Sequence, residues 1–263
     1  MSYDDLPILD YGDRGIVTVA ANAEGVANLA VQTFATVLLT AYARNGRSAI
    51  ALSGGSTPRR MGELLAHSDF PAPEAWENTD IFWGDERWAP LESDESNAGV
   101  ALRTFLTRVP IPAENIHPIF DPELDEAQGA ALYQALIEEI VPAIDGVPAF
   151  DLVFLGMGDD GHTASLFPFT EGLNITDRHV APNYVETLAT TRITFTSTLI
   201  NGACNVVFLV TGSGKAARLK EVLEGPLETD RLPSQLIRPT HGAVRWLVDQ
   251  GAASQLSGGP FRE

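Results

Sequence analysis

Asp151-Leu-Val-Phe-Leu-Gly-Met-Gly-Asp-Asp-Gly-His-Thr-Ala-Ser-Leu-Phe-Pro168 is the stretch on which the reading of this chain turns. It opens with an uninterrupted apolar run, residues 152–155, short enough for a strand buried inside a parallel sheet. Three glycines follow, Gly156, Gly158 and Gly161, interleaved with Asp159 and Asp160 and ending on His162. Glycine allows left-handed backbone and close approach to a ligand, so the strand is expected to end in a tight loop. Ligands of open α/β sheets bind in the crevice beyond the carboxyl ends of the strands. A histidine there, beside two carboxylates, is a candidate base with candidate orienting groups. The plain alternative is a turn with solvated acids and a packed histidine.

The same unit recurs on either side. Residues 15–20 suit a first strand, and Asn22 suits the cap of a helix whose apolar positions Val26, Leu29, Ala30, Phe34, Val37, Leu38 and Ala41 keep helical spacing. Residues 48–52 suit a second strand, followed by Ser53-Gly-Gly-Ser-Thr-Pro58. Pro58 fits a first helical turn and Ser56 or Thr57 its cap. A strand, a glycine turn and a helix N-terminus make an anion site, because unpaired N–H groups and the positive dipole end face the loop. Residues 79–84 suit a third strand running into Asp85-Glu-Arg87, and Ser96-Asn97 leads into a helix through Leu106. Residues 110–122 read as irregular, 127–144 as helix, and 172–183 as loop. Residues 192–196 read as strand and 197–202 as a helical turn.

Residues 204–211 form another apolar strand, ending in Gly212-Ser-Gly-Lys215 and a helix through Leu223. This is no Walker A loop, since Leu209 and Ala216 stand where a glycine and a Ser or Thr are required. Residues 243–248 read as a last, edge strand, and the Gly- and Ser-rich tail from Gly251 as frayed. Strands alternating with helices predict an α/β fold: one open, mainly parallel sheet with helices on both faces, as a single domain over residues 1–263.

Composition bounds the function. The 263 residues are 44% apolar and carry a formal charge of −18. That charge argues against nucleic acid or an anionic membrane as partner. It also makes the few basic residues informative if the substrate is an anion. One cysteine, Cys204, excludes an intramolecular disulfide and reads as a core thiol. The opening Met1-Ser-Tyr-Asp-Asp-Leu-Pro7 has neither the basic nor the apolar region of a signal peptide. No apolar run is read as approaching the roughly 18 residues of a membrane span, so a soluble cytoplasmic protein is expected. The five histidines show no i,i+4 pairing and no Cys/His cluster accompanies them, so no metal site is expected. A Gly-x-Ser-x-Gly nucleophile elbow is absent.

Five motifs together resemble the 6-phosphogluconolactonase family: Leu52-Ser-Gly-Gly-Ser-Thr-Pro58, Trp83-Gly-Asp-Glu-Arg87 with Ser96-Asn97, Leu155 to Pro168, Arg192-Ile-Thr-Phe-Thr196, and Thr211-Gly-Ser-Gly-Lys-Ala216. They occur in family order between about residues 49 and 222. Departures are Trp88-Ala-Pro90 where Val-Pro often follows the arginine, and Ala98 where an aromatic is common. The resemblance implies a Rossmann-like fold of the glucosamine-6-phosphate deaminase type and hydrolysis of 6-phospho-D-glucono-1,5-lactone without a cofactor.

The roles it implies are His162 as base, oriented by Asp160 or Asp159, with Asp85 as the next candidate for the base. Loop amides between Gly156 and Gly161 are expected at the oxyanion. Gly54, Gly55, Ser56 and Thr57 are expected to bind the phosphate with Arg87 and Lys215, and with Arg192 as a further cation. The superfamily also holds glucosamine-6-phosphate deaminases and non-catalytic sugar-phosphate sensors. The sensor reading is disfavoured because no basic DNA-binding segment accompanies the motifs. Against the deaminase, Phe167 stands where its loop carries a glutamate, and Arg87 where it carries a tyrosine.

Overall fold

Alternate residues of a strand face opposite sides of its sheet, so a strand buried at every position must be covered on both. Ser48–Leu52 and Thr79–Trp83 are buried throughout, and Leu152–Gly156 and Asn205–Val210 nearly so. The computed structural model, which describes residues 6–67 and 72–257, places these four side by side.

In chain order the strands are β1 (Ile8–Asp10), β2 (Ile16–Ala20), β3 (Ser48–Leu52), β4 (Thr79–Trp83), β5 (Asp85–Arg87), β6 (Ala143–Ile144), β7 (Val147–Pro148), β8 (Leu152–Gly156), β9 (Val180–Val185), β10 (Thr190–Phe195), β11 (Asn205–Val210) and β12 (Ala243–Asp249). The α-helices are α1 (Ala23–Asn45), α2 (Ser56–Leu65), α3 (Pro73–Glu77), α4 (Asn97–Thr104), α5 (Glu126–Ile140), α6 (Ser197–Asn201), α7 (Ala216–Glu224) and α8 (Gln250–Ala253). The main sheet runs β1-β2-β12-β11-β8-β3-β4, parallel except for β1 against β2. A small antiparallel sheet, β5-β10-β9, stands beyond the end of β4, and β6 and β7 form a hairpin.

The expected α/β fold is therefore present, with these differences. The 243–248 strand is interior rather than an edge, because β2 pairs with its other side, parallel to it, and β1 extends the sheet beyond β2. Residues 180–185 form β9 rather than loop; Pro182 is tolerated because β9 is an edge strand. Asp85–Arg87 forms a strand of the small sheet. The helix expected over 127–144 ends at Ile140, before Pro142. The tail does not fray at once, since Asp249 caps α8; residues 258–263 lie outside the described ones, as do Met1 to Asp5.

Asn22 caps α1 as expected, its side chain accepting from Gly25 N. By length and composition this helix is apolar enough to cross a bilayer, contrary to the expectation from the sequence. Its buried Val26, Leu29, Phe34 and Leu38 belong to the core cluster, and it packs against β2, β3, β11, β12 and α2.

The irregular segment after α4 is tied to the sheet edge at its far end from the glycine loops. His117 N donates to Ile81 O at 2.9 Å, and His117 Nε2 lies 2.9 Å from Asp80 Oδ1, while Arg47 Nη2 donates to Asp80 Oδ2 at 2.5 Å. Burial pushes the Asp80 carboxyl up, but its bonds to His117 and Arg47 outweigh this and hold it below the usual carboxylate range. A depressed native pKa contributes stability above the unfolded value that is lost as pH falls through the native one. Asp80→Asn is therefore expected to cost about 2 kcal/mol at neutral pH, with the gap to wild type closing below about pH 4. Urea melts of both proteins across that range check it.

Candidate active site

Four neighbouring strands, β11, β8, β3 and β4, deliver their carboxyl-end loops to one rim of the sheet. The chain runs outward from β3 to β4 and returns on the other side of β3 with β8, which is the kind of switch point where a crevice opens.

The loop after β8 closes on itself. Gly158 N donates to His162 O at 2.9 Å and Gly161 N to Gly158 O at 3.1 Å, with Gly161 at φ +87°. These two amides are committed to the turn, while the Met157 amide, within the same expected loop, has no acceptor among the described residues. The turn sets Asp160 Oδ1 3.0 Å from His162 N and 2.6 Å from His162 Nδ1. Asp160 is thus the acid that orients the imidazole. Asp159 instead pairs with Lys215 Nζ at 2.6 Å, and its carbonyl accepts from Arg218 Nε. Burial raises the Asp160 pKa, but hydrogen bonds from the His162 ring and amide hold it below the ordinary range. An ionised Asp160 can only accept a hydrogen bond, so it favours the neutral tautomer with the proton on Nδ1 and Nε2 bare. Nε2 has no protein partner among the described residues. Gly158 is required by contact: a Cβ there would lie 2.1 Å from His162 Nδ1. The Phe167 ring stacks on the imidazole with centroids 4.1 Å apart.

The loop after β3 departs from expectation in its cap. Gly55, at φ +109°, is the N-cap of α2, and no side chain caps it; Ser56 and Thr57 are already helical. The amides of Gly55, Ser56 and Thr57 have no acceptor among the described residues, the condition for an anion site. The Thr57 side chain is buried and its hydroxyl lies 3.2 Å from Thr211 Oγ1, so only its amide remains available. Gly54 makes room for Asn97, whose Oδ1 would be 1.9 Å from a Cβ. Asn97 Nδ2 in turn donates to Asp85 O at 2.9 Å.

On β5, Asp85 Oδ2 accepts from Ser165 Oγ at 2.8 Å, which joins this strand to the His162 loop. Arg87 Nη1 donates to Glu95 O. Arg192 on β10 stands directly across from Arg87 in the register, and burial, with the Arg87 charge next, lowers its pKa. Like charges facing each other across strands repel, and an anion between them relieves that cost.

A cavity of about 260 Å³ brings Gly54, Gly55, Asp85, Arg87, His162 and Lys215 together, with Ser53, Asn97 and Met157. Ser56 lines the adjoining cavity of about 380 Å³ beside Gly54, Gly55 and Arg87. Asp160 and Arg192 line a third, of about 420 Å³, that shares Asp85, Arg87 and His162 with the first. The sequence reading gave Asn97 and Ser165 no role in the site, although both lie inside the motifs it quoted, Ser96-Asn97 and Leu155 to Pro168. Among the described residues no group of three or more His, Cys, Asp or Glu side chains is placed to hold a metal ion.

A family model described as glucosamine-6-phosphate isomerases/6-phosphogluconolactonase matches residues 21–246. The chain belongs to this family. It is 41% identical over 223 residues to the 6-phosphogluconolactonase of Nostoc sp., covering 84% of this chain and 90% of that one. Identity to the 6-phosphogluconolactonase of Synechocystis sp. is 39% over 241 residues, covering 91% and 98%. The solved 6-phosphogluconolactonase of Trypanosoma cruzi superposes with a TM-score of 0.81 at 26% identity, over 92% of this chain and 96% of that one. The loop after β8, whose sequence resembles a motif of this family, carries the His162 geometry described above. Displacing its imidazole by one methyl group tests that geometry: Gly158→Ala is expected to lower kcat by about 10²-fold with the thermal melt nearly unchanged. Steady-state kinetics beside a melting curve check it.

Proposed function

We propose that this chain hydrolyses 6-phospho-D-glucono-1,5-lactone to 6-phospho-D-gluconate in the oxidative pentose phosphate pathway, with His162 as general base. The observation that carries the base assignment is the uncommitted His162 Nε2, bordering a cavity that also holds Arg87 and Lys215. The relatives named above support the substrate. Nε2 takes a proton from water as its oxygen attacks the lactone carbonyl carbon, and Asp160 stabilises the resulting imidazolium through Nδ1–H. When the tetrahedral species collapses, the bond from that carbon to the ring oxygen breaks. The imidazolium returns its proton to the departing alkoxide. The carboxylic acid product then ionises to bulk water. Met157 lines the cavity, and its amide, which has no acceptor among the described residues, serves as donor to the developing oxyanion.

For the phosphate, which carries about −1.5 to −2 charges, the amides of Gly54, Gly55, Ser56 and Thr57 act with Arg87 and Lys215. Lys215 leaves Asp159 to do so. Arg192 lines the neighbouring cavity and supports Arg87 at its margin. The chemistry requires no cofactor, and the enzyme acts as a soluble cytoplasmic protein. Asp85, bonded to Ser165, holds the His162 loop against the small sheet and is the second candidate for the base.

In a coupled assay with freshly generated lactone, read against spontaneous hydrolysis, His162→Ala is expected to lose about 10²–10⁴ in kcat. Near-wild-type turnover in the folded variant transfers the base to Asp85. Lys215→Ala and Arg87→Ala are expected to weaken phosphorylated ligands by about 1.5–3 kcal/mol each, shrinking the preference over unphosphorylated gluconolactone. A variant that keeps the full preference removes its residue from the phosphate site. Ammonia release from glucosamine 6-phosphate at a rate comparable to lactone turnover contradicts the lactonase reading.

A further inference from the structure

We infer that Phe167 is a positioning residue for His162, fixing the plane of the imidazole and favouring its protonated form. This rests on His162 as the base.

Three groups hold the ring. Asp160 takes Nδ1, bare Gly158 backbone lies against the Nδ1–Cε1 edge, and Phe167 covers a face at 4.1 Å with planes 26° apart. A single hydrogen bond at Nδ1 fixes one atom and leaves the ring free to swing about it. A stacked plane removes that freedom, so Nε2 keeps its direction into the cavity.

Phe167 is itself held. Its carbonyl accepts from Thr170 Oγ1 at 2.8 Å, and the buried Asn183 donates Nδ2 to both Thr170 Oγ1 and Ser165 O. Asn183 sits on β9, so the small sheet, through a side chain remote from the reacting atoms, carries the orientation of the catalytic ring. An aromatic face is electron-rich and attracts a cation placed over it. The imidazolium formed when water is deprotonated is such a cation. The charged groups lining the same cavities are Asp159 and Asp160 from the loop, Asp85 and Arg87 from β5, Arg192 from β10, and Lys215 ahead of α7. None of them stacks on the ring.

The test compares Phe167→Leu, which keeps apolar cover but has no π face, with Phe167→Tyr, which keeps both. Each is assayed across pH for kcat and KM with lactone, with spontaneous hydrolysis subtracted. The leucine variant is expected to lose about tenfold in kcat with KM within about twofold. The acid limb of its kcat/KM profile is expected to move down by about half a pH unit. Tyrosine restores both. Phe167 is only half-buried, and Phe167→Met provides a second apolar cover should leucine not fold. A leucine or methionine variant with wild-type kcat and acid limb overturns the inference. So does a rise in KM alone, which would make Phe167 a substrate contact. Retained turnover in His162→Ala instead overturns the base assignment, so the two failures are distinguishable.

Discussion

A buried carboxylate, Glu86, fixes where the small sheet meets the large one. It is 1% exposed and accepts from the amides of Arg87, Asn97 and Ala98 and from Ser96 Oγ. Burial pushes its carboxyl up, while the amide bonds pull the other way. An acid at the first turn of α4 also meets the positive end of the helix dipole. Through these bonds one side chain sets the distance between β5 and α4, and with it three neighbours of the cavity. Asp85 and Arg87 flank it in sequence, and Asn97 is locked between its own amide on Glu86 and the bare backbone of Gly54. Remove that carboxylate and the β3 loop, the β5 strand and the α4 N-terminus lose their common reference.

The acidic composition gives this junction its consequence. In a chain of formal charge −18, Arg87, Arg192 and Lys215 gather around one crevice. Two of them face each other across the β5–β10 ladder, and the third is pinned by Asp159. Cations arranged with so few partners are prepared for an anion, and the open amides at the start of α2 add directional donors. The surrounding negative field limits which anions gain by binding, because only those reaching the cationic floor of the crevice are compensated.

Much of this was legible in the sequence. Fully apolar runs such as residues 152–155, four residues long and closed by glycine turns, suit a covered parallel strand, and the glycine turns mark the functional rim. The loops at Gly54, Arg87, His162 and Lys215 do converge there. What escaped was set by long-range contact. β1 is three residues with exposed ends, so it has no hydrophobic signature, and β12 is interior only because β2, from the far end of the chain, pairs alongside it. β9 contains Pro182, a residue that argues against a strand unless the edge is known. Whether Asp159 or Asp160 orients His162 depends on the backbone turn at Gly161, which spacing does not reveal. Thr57 looked like a ligand donor because its hydroxyl's partner, Thr211, lies 154 residues away in the chain.

The account's central claim is that Asp160 holds the His162 imidazole with its proton on Nδ1 and Nε2 open to the cavity. Long-range nitrogen–proton correlation NMR of the imidazole, recorded above its titration range in the ligand-free protein, reads the tautomer directly. The account predicts a protonated Nδ1 and a bare Nε2 in wild type, with that preference weakened in Asp160→Asn. A wild-type ring protonated at Nε2 would contradict it.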